Sequence, residues 1–226
     1  MNTMLKIVGL DIVDLISFPA GILFVLKENL ENNSVKVSFY SFDISTNKIA
    51  TVTKNAYLLT KFGASFEPIA KQLGDYVSCD TAKLWNGQTF IIYSSGEMGV
   101  FDDRGQLLRT GDLTYRDAPA RDVAIDNNYI WSVVPSKNLI IKYSLLQNRV
   151  VMRIGGDNST TFSNPVAIEE YDGYLYVCNQ DSCKIKRVRL SDYSVDEYKE
   201  FDEPVYKYLR VGMNEFVILE SGVYML

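Results

Sequence analysis

The chain has 226 residues, 47% of them apolar and 23% charged, a size and balance that fit one sizeable core and a single domain spanning residues 1–226. Its net charge of -5, with no run of Lys and Arg to override it, argues against a nucleic-acid partner. The sequence contains no His, which removes Ser-His-Asp triads, Cys-His pairs and His-ligated zinc or iron.

In chain order, residues 5–10 form a short strand candidate with no partner nearby. The apolar stretch 16–26 is interrupted by Pro19 and Gly21 and is too short to span a bilayer. Asp11 and Asp14 precede it where a signal peptide would carry positive charge, so it reads as a buried strand pair in a cytoplasmic protein with no membrane partner. Strands at 12–17, 21–27, 35–43 and 48–53 then make a first group of four, with a polar loop at 28–34. Residues 55–79 break the pattern. Ser65 can cap a turn, Phe66, Ile69, Ala70 and Leu73 recur at helical spacing, and Gly74 can stop it, which predicts a short helix over 66–73. Such a helix would serve as a plug over apolar edges, or as a lid.

A second group of strands falls at 81–85, 88–94, 98–102 and 106–110, with Asn86-Gly87 as a strong hairpin signal. A third falls at 122–125, 129–134, 139–144 and 149–154. A fourth occupies 164–168, 172–177, 184–190 and 194–201. A fifth, at 205–211, 215–219 and 222–226, ends one strand short. Groups start at Asp80, Asp122, Pro165 and Pro204, spacings of 42, 43 and 39 residues, which match a four-stranded propeller blade. Val123-Ala124-Ile125 recurs as Val166-Ala167-Ile168, a self-similarity that a β-sandwich would not show. The fold expected is an all-β, five-bladed propeller of antiparallel blades, with residues 5–10 supplying the missing outer strand of the last blade. Closure of this kind removes an exposed edge.

Gly155-Gly156, Phe162 to Ile168, Asp172-Gly173, Leu175-Tyr176-Val177 and Lys184-Ile185 together resemble an NHL-type repeat. The resemblance is good over 155–190 and partial over 121–154, and Asn179 stands where that pattern usually carries Asp. It implies a propeller used for binding or, in some relatives, for catalysis.

In a propeller the loops entering the inner strands surround one mouth of the central channel. Asp80, Arg121, Asp122, Asn164 and Glu203 occupy those positions, with Asp11 or Asp14 serving the first blade. Converging carboxylates there could hold Ca²⁺ or act as a general acid and base, although Asp and Asn are also ordinary turn residues. Tyr115 and Arg116, in the loop before the third blade, suit an anionic or peptide ligand, while Arg116 beside Asp117 also suits a solvated pair. Cys178 and Cys183 have the wrong spacing for a redox or metal pair and are expected to be reduced, and Trp85 and Trp131 are expected to pack between blades. Two readings follow. One is a non-catalytic module binding a protein, peptide or small polar ligand at the channel mouth, with no cofactor. The other is a carboxylate- or Ca²⁺-dependent hydrolase of a sugar or lactone, which requires three acidic side chains in one cavity.

Overall fold

Turn chemistry fixes the hairpins. Asn86 and Gly87 both have positive φ (49° and 73°), as do Asp172 and Gly173 (51° and 77°), the conformation that a two-residue type I′ turn demands. The computed structural model describes residues 4–9, 11–18, 21–30, 35–52, 79–156 and 158–226. Strand β1 (Leu5–Val8) comes first. Blade 1 follows as β2 (Ile12–Phe18), β3 (Gly21–Asn29), β4 (Val35–Asp43) and β5 (Lys48–Val52). Blade 2 is β6 (Cys79–Trp85), β7 (Gln88–Tyr93), β8 (Glu97–Phe101) and β9 (Leu107–Asp112). A small hairpin, β10 (Thr114–Tyr115) and β11 (Ala118–Pro119), precedes blade 3, which is β12 (Val123–Asp126), β13 (Tyr129–Val134), β14 (Leu139–Ser144) and β15 (Arg149–Gly155). Blade 4 is β16 (Pro165–Tyr171), β17 (Tyr174–Asn179), β18 (Lys184–Arg189) and β19 (Val195–Glu200). Blade 5 is β20 (Val205–Val211), β21 (Asn214–Leu219) and β22 (Gly222–Met225). The helix expected at 66–73 lies outside the described residues. Among those described, no helix is long and apolar enough to cross a membrane.

Each blade is an antiparallel sheet in sequence order, and the expected closure is present: β1 pairs with β22, Leu5 opposite Met225 and Lys6 opposite Tyr224. Gly222 is required there, because its φ is +137° and a Cβ would stand 2.2 Å from the Val8 carbonyl oxygen. Inner strands β2, β6, β12, β16 and β20 touch in succession, and β20 returns to β2, so the ring is closed.

Burial follows from position in the blade. In β3 the residues Gly21 to Leu26 are buried without alternation, since a second strand is covered on both faces by neighbouring blades. Outer strand β9 is exposed along most of its length. Among the described residues the core is therefore divided into five apolar clusters, one per blade interface. Ile16, Val25 and Ile91 join blades 1 and 2; Phe90, Ile92 and Ile141 join blades 2 and 3; Trp131, Ile140 and Val177 join blades 3 and 4. Tyr176, Ile185 and Tyr208 join blades 4 and 5, while Phe24, Phe42 and Phe216 join blades 5 and 1. Trp131 is fully buried, as an inter-blade packing residue should be.

Candidate functional site

The inner strands share a local irregularity. Pairing slips by one residue between Ile12 and Asp14, Cys79 and Thr81, Pro165 and Ala167, and Val205 and Lys207. Each slip is a β-bulge, which frees one residue from the ladder and re-aims its side chain. The bulged residues are Val13, Asp80, Val166 and Tyr206, and in blade 3 Arg121 occupies the corresponding place, just before Asp122. These five, with Lys27 and Gln180, surround a cavity of about 340 Å³ at the channel mouth. The residues that follow them, Asp14, Thr81, Asp122, Ala167 and Lys207, form its floor.

The floor is an ion cluster around Lys207. Its Nζ lies 2.9 Å from Asp14 Oδ1 and 2.9 Å from Asp122 Oδ2, and donates to Thr81 Oγ1 at 3.2 Å. The three N–H donors of an ammonium are thereby matched by three acceptors. Thr81 Oγ1 in turn donates to Asp14 Oδ2 at 3.0 Å, and Asp122 accepts from the backbone N–H groups of Val123 and Ile168 at 2.9 and 3.0 Å. Asp14, Asp122 and Lys207 are all buried. Burial by itself would raise the Asp122 carboxyl, but the Lys207 and Lys83 ammonium groups and the Ile168 N–H outweigh it, and the group is held below the usual carboxylate range. Burial likewise works against the Lys207 charge, and its two carboxylate partners overcome it, so the ammonium is held above the usual lysine value. Two residues further along β6 and β16, Lys83 pairs with Glu169 and extends the cluster inward.

Asp80 differs from the floor acids. Arg121 Nε stands 3.9 Å from its Oδ2, beyond hydrogen-bond length, and that oxygen is buried without a donor. Partial burial pushes the Asp80 carboxyl up, Arg121 and Lys27 pull it down, and the repulsion of Asp14 and Asp122 adds to the rise, which prevails.

The expected site residues divide. Asp80, Arg121 and Asp122 line one cavity, and Asp14 rather than Asp11 serves blade 1 there. Asn164 lies apart, its side chain donating to Gln180 and Asp181 and its backbone N–H to Asn138. Glu203 is engaged by Ser221, whose N–H and hydroxyl donate to it at 2.7 and 2.6 Å. Tyr115 and Arg116 are on the β10–β11 hairpin, where Arg116 and Asp117 adopt φ of 49° and 62° as turn residues, and neither Tyr115 nor Arg116 lines the cavity. Lys207, the centre of the floor, was not among the expected residues. Superimposing blade starts would have shown it, since Lys207 falls in the slot that holds Asp14 and Asp122 elsewhere. Among the described residues, no group of three or more acidic or sulfur side chains is spaced to hold a metal ion.

No family model matches the chain, and no curated protein matches it. Among solved structures it is similar to the WD40 β-propeller domain of Doa1, at 10% identity and a TM-score of 0.56, over 95% of this chain and 62% of that one. It is also similar to a chain of the Mitotic Checkpoint Complex, at 9% identity and a TM-score of 0.51, over 96% of this chain and 62% of that one. It thus spans about three-fifths of the length of each. At such identity the likeness shows the propeller fold alone.

Proposed function

We propose that residues 1–226 form a single NHL-like propeller domain that works as a non-catalytic scaffold. In this reading it binds a protein, peptide or small polar ligand at the channel mouth through Asp80, Arg121 and the bulged residues around them. The observation that carries this reading is the Lys207 cluster. A hydrolase would need acidic side chains available to a substrate, and although Asp14, Asp80 and Asp122 all line the cavity, two of the three are bound to one buried ammonium. What remains at the mouth is a mixed-charge, part-apolar rim, the composition of a binding surface.

The NHL-like assignment rests on blade 4. Buried Asn179 accepts from the Ser163 N–H and donates to the Val177 carbonyl. An Asp could take only the first of these bonds, which accounts for the departure from the usual pattern.

The test is affinity capture with the wild type and with a D80N/R121A variant, beside Glu203→Gln as a control outside the cavity. A partner held by the wild type and the control but lost from the double variant supports the reading. Hydrolysis of nitrophenyl glycosides or lactones that disappears in Asp122→Asn would overturn it in favour of the enzyme.

A further inference from the structure

On the face opposite the mouth, three turns of blades 2 and 3 meet around a second cavity, of about 430 Å³. Asn86 belongs to the β6–β7 turn, Asn127 to the β12–β13 turn, and Leu145 and Leu146 to the β14–β15 turn. The two asparagines have a backbone reason to be there, since both sit at positive φ (49° and 54°), where Asn is favoured. The leucines have none. Turn positions ordinarily take Gly, Asn, Asp or Ser, yet Leu146 is 77% exposed at the tip, and Leu108 on β9, lining the same cavity, is 53% exposed. Half-buried Trp85 completes an apolar patch on the cavity wall. Folding leaves this patch in water, and a patch of large apolar side chains with a polar rim is a mark of an interaction surface.

The charge of the rim selects the partner. Among the described residues no carboxylate lines this cavity, and the one charged residue that does is Arg109, which donates to the Leu145 carbonyl. Arg149, at the start of β15, adds a second guanidinium on the same turn through its bond to Gln147 at 3.0 Å. The carboxylate of Asp126 stands behind the β12–β13 turn, accepting from Asn127 Nδ2 at 2.9 Å, so in a chain of net charge -5 the three turns carry two guanidinium groups against one carboxylate. We propose that the groove between blades 2 and 3 docks a linear peptide segment of a partner protein, in which a large apolar side chain is flanked by acidic residues. The apolar side chain seats against Trp85, Leu108 and Leu146, and the acid meets Arg109.

The probes are three peptides in one frame: Gly-Ser-Glu-Phe-Leu-Glu-Ser-Gly, its Lys-for-Glu analogue, and its Ser-for-Phe-Leu analogue, each carrying fluorescein for anisotropy. The unlabelled forms contain no Trp, so emission from Trp85 reports occupancy directly, with fully buried Trp131 as a constant background. The acidic apolar peptide is expected to bind at least tenfold more tightly than either analogue and to shift the emission. Leu146→Glu should abolish binding, with Leu146→Ser as a milder variant should the first misfold. Arg109→Gln should erase the preference for acid over base, and Glu203→Gln, on the other face and outside both cavities, should leave the peptide's affinity unchanged. The inference is overturned if no peptide binds at millimolar concentration, if acidic and basic peptides bind alike, or if Leu146→Ser binds as the wild type does. It is also overturned if light scattering shows that the patch instead joins two copies of this chain.

Discussion

Replacing Lys207 with Met removes the ammonium that bridges Asp14 and Asp122 while keeping most of the side-chain volume. Two carboxylates, 1% and 5% exposed, then stay buried without that ammonium, one on β2 and the other just before β12. Breaking a buried ion pair by removing one member typically costs about 3–5 kcal/mol, because the remaining charge keeps its desolvation penalty. A domain of this size has a total stability on the order of 5–15 kcal/mol, so the variant should fold, with a melting temperature lowered by roughly 6–20 °C.

The pH dependence separates this cause from simple loss of packing. In the wild type Asp122 titrates lower when folded than when unfolded. Its stabilisation is therefore complete above about pH 4 and is lost as pH falls through the folded value. Lys207 titrates higher when folded, so its share is complete below about pH 10 and is lost only as pH rises through the folded value. Without the ammonium, burial loses its main opponent at Asp122, the folded carboxyl should titrate above its unfolded value, and the sign reverses: the variant gains stability as pH falls from 7 towards 5. Urea unfolding followed by fluorescence of the buried Trp131 measures both proteins at each pH. The gap should be widest at neutral pH and should narrow towards pH 5, and a D14N/D122N/K207M variant should recover most of the loss. A gap below about 1 kcal/mol, or one constant from pH 5 to 8, would refute the reasoning.

Removing residues 1–9 strips β1 from β22 and bares a strand edge, which should lower the melting temperature by roughly 10 °C and promote aggregation; unchanged melting would sink this account of closure. Cys178 and Cys183 are both free, and burial holds the Cys178 thiol far above its ordinary value. In native protein a thiol-specific disulfide reagent should therefore modify half-buried Cys183 well before Cys178. Cys178→Ser should cost about 1–3 kcal/mol and Cys183→Ser less than about 1 kcal/mol, as read by urea unfolding; equal reaction rates or equal costs would contradict the burial argument.

The blades were legible because their signals are local. Asn86-Gly87 and Asp172-Gly173 announce hairpins by backbone chemistry alone, and the recurrence of starts at Asp80, Asp122 and Pro165 sets the period. The closing strand was legible by counting, since blade 5 lacked one member. The site was legible only in part, for a physical reason. Asp and Asn are needed by turns as well as by ligands, and Glu203 and Asn164 went to the local task, binding Ser221 and the Gln180–Asp181 turn. Asp80, Arg121 and Asp122 came together because bulges place them on the axis, and a bulge leaves almost no trace in composition. Lys207 stayed hidden for the opposite reason. In Val205-Tyr206-Lys207-Tyr208 a lone Lys reads as a strand residue whose stem packs and whose head reaches water.

The position of Lys207 bears on how a ring of blades is held shut. A propeller built from one chain has a seam where its last blade meets its first, and here two devices of different chemistry cross it. At the rim, β1 joins blade 5 through backbone hydrogen bonds that depend little on side-chain identity, apart from the close approach at Gly222. At the axis, Lys207 of blade 5 reaches Asp14 of blade 1, Thr81 of blade 2 and Asp122 of blade 3, so one ammonium ties the last blade to the first three. Blade 4 enters through the backbone, as the Ile168 N–H donates to Asp122. All five blades thus contribute to one polar knot beneath the mouth. Such a knot is costly to form, because each charge leaves water, and it is specific, because a donor count of three is satisfied only when three particular strands stand at the correct register. The same knot gives the mouth a rigid floor, so that the bulged residues above it present Asp80 and Arg121 from a fixed base.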